Sequence, residues 1–278
     1  MNKRIYLLFV FSVITQLAIG QFVINKSFDI NGPNVSDVAY SILADSSGFT
    51  LDISTFCYDG QLSCGGMLRT NLEGDSLWSS IWDAFPAAFF TTNYIRANDG
   101  SYYLSGFEYI AQDSSFSPYL SKVSSQGERT WIEYYNDIEK DVAVDLAIAP
   151  DGHLISYNLG GVSGEYSIIT VQKLHREDGS VIWEEEVETG LFFPSAGELT
   201  VLQDSSIMLA YHYPAPDNHR GYAVSKLSPQ GETLWTRRFS EGNTDDYTAF
   251  IEALPDGGVA VASTPESRTL FMNHLLRS

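Results

Sequence analysis

The chain is poor in several of the features that usually announce a function. It holds two cysteines, five histidines, and sixteen lysines plus arginines against thirty-five carboxylates, giving a formal net charge of −19 over 278 residues. Nucleic acids and anionic membranes are held by clusters of Lys and Arg, so this balance disfavours both, and no nucleic-acid partner is expected. No apolar run reaches the roughly 20 residues that a spanning helix requires. The histidines, His153, His175, His212, His219 and His274, show no metal-ligand spacing. No serine stands in a nucleophile elbow, because Gly161, Ser163 and Gly164 are followed by Glu165 where that motif needs a glycine.

What is present begins with a leader. Lys3 and Arg4 precede an apolar run from Ile5 to Val13, and small residues follow at Ala18 and Gly20. This is the pattern of a secretory signal over residues 1–20, which leaves residues 21–278 as a single exported domain, periplasmic, cell-surface or extracellular. Losing the two basic residues takes the charge to −21. In such a compartment Cys57 and Cys64, with six residues between them, are read as a disulfide that staples a loop.

The strongest signal is a repeat. Trp78, Trp131, Trp183 and Trp235 are 53, 52 and 52 residues apart, and each lies four positions after a glycine: Gly74, Gly127, Gly179 and Gly231. A period near fifty residues means one supersecondary unit copied several times, each copy covering a face that its neighbour cannot bury alone. A second register follows each Trp by 20 or 21 residues, at Asp99-Gly100, Asp151-Gly152, Asp204-Ser205 and Asp256-Gly257, with Ser47-Gly48 upstream. Asp-Gly between apolar runs marks a tight hairpin, because glycine accepts positive φ. Four strands fit in each unit. The expected fold is an all-β propeller of about five four-stranded blades. Its register Trp and Gly residues are assigned to blade packing and turns.

The segments VQKLHREDGSVIW (171–183) and VSKLSPQGETLW (224–235) resemble the repeats of PQQ-like (quinoprotein-like) propellers, and the Asp-Gly half resembles the DGG repeats of secreted bacterial propellers. The resemblance implies an order within each blade: innermost strand before the Asp-Gly turn, then second, third, and the Trp strand outermost. It places a first strand near 22–28 as the outer strand of the last blade and a final strand at 270–277 as its third, so that pairing of the two ends closes the ring. Bound PQQ is not expected, because the ring is small and the cysteines are not vicinal. No other cofactor is expected.

Sites on rigid scaffolds concentrate in long loops. These are expected between second and third strands, at 54–65, 107–117, 158–167, 212–221 and 263–269, on the same face as the starts of the innermost strands. Ten residues before the turn register stand Asp37, Phe89, Asp141, Pro194 and Asp246. Three carboxylates therefore converge at the channel mouth, as candidates for a ligand or for a hard cation such as Ca²⁺. The simpler reading is that each accepts hydrogen bonds from loop amides. Carboxylate pairs such as Asp245-Asp246 and the run Glu184 to Glu186 also fit glycoside hydrolysis, which needs two carboxyl groups across a cleft. The leading expectation is a monomeric, non-enzymatic binding or scaffold module that recognises a protein, glycan or surface partner through its long-loop face. The alternatives are a carbohydrate-active hydrolase using Asp37, Asp141 and Asp246, or a shortened relative of a longer repeat protein.

Overall fold

The computed structural model describes residues 26–28, 30, 37–57, 62–82, 87–110, 115–135, 142–162, 166–191, 197–214, 220–240, 246–265 and 271–276. They form an all-β, five-bladed propeller. Blade one holds β1 (Asp37–Asp45), β2 (Gly48–Cys57), β3 (Leu62–Thr70) and β4 (Ser76–Trp82). Blade two holds β5 (Ala87–Arg96), β6 (Tyr102–Ile110), β7 (Ser115–Val123) and β8 (Arg129–Tyr134). Blade three holds β9 (Val142–Ile148), β10 (Leu154–Val162), β11 (Tyr166–Leu174) and β12 (Val181–Leu191). Blade four holds β13 (Glu198–Val201), β14 (Ile207–Pro214), β15 (Arg220–Leu227) and β16 (Thr233–Phe239). Blade five holds β17 (Asp246–Ala253), β18 (Val259–Pro265) and β19 (Phe271–Leu276). Within each blade the strands pair in sequence order and antiparallel.

Burial shows which strands lie outside. β15 alternates hardly at all, with nearly every residue buried, as a strand covered on both faces requires. β4, β8 and β16 are mostly exposed or half-buried. The first strands of successive blades pack on one another, β5 on β9, β9 on β13 and β13 on β17, so they line the axis.

The core is divided among the seams between blades. Met67 and Trp82 of blade one meet Tyr94, Tyr102, Leu104 and Val123 of blade two, with Trp78 against them. Trp131, Trp183 and Trp235 occupy the next three seams in turn. Each of the first three lies on the register glycine of the following blade. A Cβ on Gly127 would stand 2.7 Å from the Trp78 ring, one on Gly179 3.0 Å from Trp131, and one on Gly231 2.8 Å from Trp183. These glycines also carry φ of +87°, +78° and +95°. The spacing of four thus meets two demands at once: a left-handed turn residue, and a surface without Cβ for the neighbouring indole. The indole N–H of Trp78 donates to the Ser125 carbonyl at 3.1 Å, and Ser80 Oγ donates to Gly127 O at 2.6 Å.

The opposite turns share one device. Asp45, Asp99, Asp151, Asp204 and Asp256 accept the N–H two residues on, so the carboxylate caps its own hairpin. The basic residue ending the third strand reaches this carboxylate in blades one, three and four: Arg69 to Asp45 at 2.8 Å, Lys173 to Asp151 at 2.5 Å and Lys226 to Asp204 at 3.6 Å. The Arg69 guanidinium beside Asp45 holds that carboxyl far below the usual range. Arg96 adds a pair to Asp45 from blade two.

The structure departs from expectation at the loops. Four of the five segments expected as long connections are strand over half their length or more, with pairing running out to Cys57 with Leu62, Ile110 with Ser115, Val162 with Tyr166 and Pro214 with Arg220. Thr55, Phe56, Tyr109, Ile110, Val162 and Tyr213 are β-branched or aromatic and extend the ladders. Cys64 is disulfide-bonded, and the second cysteine, Cys57, lies across the same hairpin within β2. Residues 26–28 carry no strand assignment, and among the described residues no pairing joins the two ends of the chain. The rest of the expected first strand lies outside the described residues.

Candidate functional site

Carboxyl-bearing residues fall at two levels along the innermost strands. At the upper level β1 and β17 begin at Asp37 and Asp246, and β9 begins at Val142, the residue after Asp141. Asp37 Oδ2 accepts the Ile30 N–H at 2.9 Å, while Oδ1 is buried with no partner among the described residues. Asp141 and the side chain of Asp246 lie outside the described residues, as do the connections leading into β9 and β17. Among the described residues no group of three or more His, Cys, Asp or Glu could hold a metal ion.

The lower level was missed by the sequence reading. Asn93, Asp145 and Glu198 share one phase, six residues before the turn register, on β5, β9 and β13. Asp145 is 7% exposed and gathers donors from three blades. Asn93 Nδ2 of blade two donates to Oδ1, as does the Leu146 N–H of its own blade at 2.8 Å, and the Leu199 N–H of blade four donates to Oδ2 at 2.6 Å. Burial pushes its carboxyl up to about 6, and the three donors oppose that shift. Glu198 repeats the clasp one blade on, accepting the Ile251 N–H at 3.1 Å, and burial raises its pKa. The recurring phase was available as a signal, but it pointed to the turn rather than to the charge.

Asp52 is the other buried carboxyl. On β2 it pairs with Ser41 and Met67 and is 3% exposed. The equivalent residues of the other blades are Ser105, Tyr157, Ala210 and Ala262, so nothing in the repeat foretells it. Burial pushes its pKa up to about 7 against a hydrogen bond from Thr91. The Thr91 hydroxyl in turn meets Tyr119 Oη at 3.2 Å, which makes a polar chain across the first seam. Below neutral pH this acid keeps its proton.

Other residues considered from the sequence are placed apart. His212 is buried on β14 and held neutral, its pKa lowered to about 4 by burial, while His219 and Asp217 lie outside the described residues. Glu184, Glu185 and Glu186 form an exposed stretch of β12, where Glu184 accepts from Gln172 at 2.6 Å. Among the described residues no helix is long and apolar enough to cross a membrane.

Fold and site together define a five-bladed propeller with carboxylates at the starts of its inner strands. No protein-family profile matches the chain, and no curated protein does. Solved structures of similar fold include a protein of unknown function from Dyadobacter fermentans, at 7% identity over 84% of this chain and 80% of that one, with a TM-score of 0.50. They also include a GH43 β-xylosidase/α-arabinofuranosidase from a compost metagenome, at 13% identity over 84% and 86% with a TM-score of 0.45, and an endo-arabinase from Bacteroides thetaiotaomicron, at 13% over 82% and 89% with 0.43. At these identities the likeness is one of fold. The expectation of a non-enzymatic binding module gives way to its hydrolase alternative in the names that these neighbours carry, among them a xylan β-1,4-xylosidase and a GH43_1 enzyme complexed with xylotriose.

Proposed function

We propose that the chain is an exported carbohydrate-active hydrolase that cleaves glycosidic bonds at the channel mouth. The observation that carries the reading is the placement of carboxyl groups: β1 and β17 begin at Asp37 and Asp246, and Asp141 immediately precedes β9. Glycoside hydrolysis needs little else. One carboxyl group protonates the leaving oxygen, and a second either activates water or attacks the anomeric carbon. Asp37 is the one whose side chain is described: one of its oxygens accepts the Ile30 N–H, and the other has no partner among the described residues. The acidic surface repels anionic polymers and tolerates neutral glycans. The names of the fold neighbours direct the choice of substrate toward pentose polymers and their oligosaccharides.

The test is an assay of the mature protein against xylans, arabinans and their oligosaccharides, with Asp37→Asn, Asp141→Asn and Asp246→Asn beside it. Reducing ends released by the parent, and a fall of about 10²-fold or more in a folded variant, support the reading. A parent that is folded and inactive across the panel refutes it.

A further inference from the structure

The outer strands of the blades carry unlike charge. Two and three positions past the register Trp stand Ser80 and Ile81 in blade one, Glu133 and Tyr134 in blade two, Glu185 and Glu186 in blade three, and Arg237 and Arg238 in blade four. β12 holds Glu184, Glu185, Glu186 and Glu188 and no basic residue, while β16 holds the two arginines and no carboxylate. In a chain with sixteen basic residues against thirty-five acidic ones, a strand of purely basic charge stands out.

Both strands end their sheets, and they border the same seam, since Trp183 and Glu185 lie on Gly231 of blade four. Glu184, Glu185, Glu186, Arg237 and Arg238 are exposed, and beside them Val181, Ile182 and Leu234 are 46%, 40% and 55% exposed. Among the described residues Glu185, Glu186 and Arg237 form no ion pair. Rings beneath hold the guanidinium groups, with Arg237 4.9 Å from the Trp235 ring centroid and Arg238 5.6 Å from that of Tyr213. A guanidinium already held in place loses little freedom when a carboxylate meets it. Charged side chains on edge strands also block aggregation. That role accounts for charge, but not for one sign on each strand.

We propose that the outer face of blades three and four is where two copies of this chain associate, in place of the monomer expected from the sequence. β12 and β16 are each the fourth strand of a blade and run in the same direction, with their charged pairs at one phase. A two-fold axis through the seam between them at that height, normal to the propeller axis, sets the β12 glutamates of each copy against the β16 arginines of the other, in two equivalent contacts. The excess negative charge of the copies repels at long range. At about 0.15 M salt, however, the screening length is about 8 Å, so contact pairs outlast the repulsion between whole molecules. This face lies outside the ring, away from the inner-strand starts, and does not depend on the hydrolase reading.

Sedimentation of the mature protein at that ionic strength, up to a protein concentration of about 1 mM, tests the proposal. The parent is expected to pass from monomer to dimer as its concentration rises. Glu186→Arg and Arg237→Glu, both at exposed positions, are each expected to lose the dimer, and an equimolar mixture of the two to recover it, because opposite charges then face each other in both contacts. Should either variant fail to fold, Glu185→Arg and Arg238→Glu make the same test. A parent that remains monomeric overturns the proposal. A dimer that survives in both folded variants overturns the location, and a mixture that stays monomeric overturns the mutual pairing. Assembly of the parent beyond a dimer overturns the two-fold arrangement.

Discussion

Gly127→Ala should destabilise the propeller far more than Gly100→Ala, although the two glycines have nearly the same backbone conformation. Their φ values are +87° and +84°. An L-residue in this region costs about 1–2 kcal/mol, and both variants bear that cost. Their surroundings differ. A methyl group on Gly100 finds its nearest neighbour, Ser125 Cβ, at 3.4 Å, an ordinary contact. One on Gly127 would lie 2.6 Å from Ser80 Oγ and 2.7 Å from the Trp78 ring. The indole cannot retreat without opening the seam core that it shares with Tyr102 and Met67. Overpacking of this kind adds about 1–3 kcal/mol, for a total near 2–5 kcal/mol. Urea titration measures both, and equal slopes would show that the difference in midpoint reflects native-state stability. Trp78→Leu in the Gly127→Ala background should recover part of the loss, with a coupling of about 1–3 kcal/mol. If Gly127→Ala proves no worse than Gly100→Ala, the glycine register serves the turn alone and the seam argument fails.

Three further outcomes are expected. Ser205 is the only described non-glycine residue with positive φ, at 66°, where blades two, three and five carry Gly100, Gly152 and Gly257. Ser205→Gly should therefore stabilise the domain by about 1 kcal/mol, read as a rise in Tm of about 2–4 °C for a domain of this size. Asp52 and Asp145 have pKa values raised to about 7 and about 6 from 3.8. The folded state then binds more protons than the unfolded one between about pH 4 and pH 7, so stability falls as pH rises through that window. Asp52→Asn should flatten the upper part of the fall in a series of melts from pH 4 to pH 8, and an unchanged profile would count against a buried acid there. Reducing the Cys57–Cys64 bond should cost about 2–3 kcal/mol on the chain-entropy estimate for a loop this short, and a reduced protein that melts at the parent temperature would refute it.

The repeat made the fold legible because a blade is a local object. The first hairpin of blades two, three and five is encoded within a dozen residues by an Asp-Gly turn and flanking apolar runs, and the period of Trp78, Trp131, Trp183 and Trp235 tells how often the unit recurs. The loops were less legible. Thr55, Phe56, Tyr109 and Ile110 stand beside polar and glycine-rich residues, and cross-strand pairing decided that they extend ladders. Of the candidate site, the sequence placed Asp37, Asp141 and Asp246 at one phase. It said nothing of Asp52, whose phase is shared by Ser105, Tyr157, Ala210 and Ala262.

The amino-acid sequence by itself determined the unit, its number and the direction of each strand, since turns and alternation act over short separations. Tertiary structure alone decided which residue of one blade meets which of the next. Trp78 on Gly127 and Asp145 between Asn93 and Leu199 join positions about fifty residues apart. At that separation no local preference operates. The contacts are selected by the shape of the facing surfaces and by the cost of leaving a buried carboxyl without donors. The register marks where a contact can form, and the side chain at each position settles whether it is a core or a clasp.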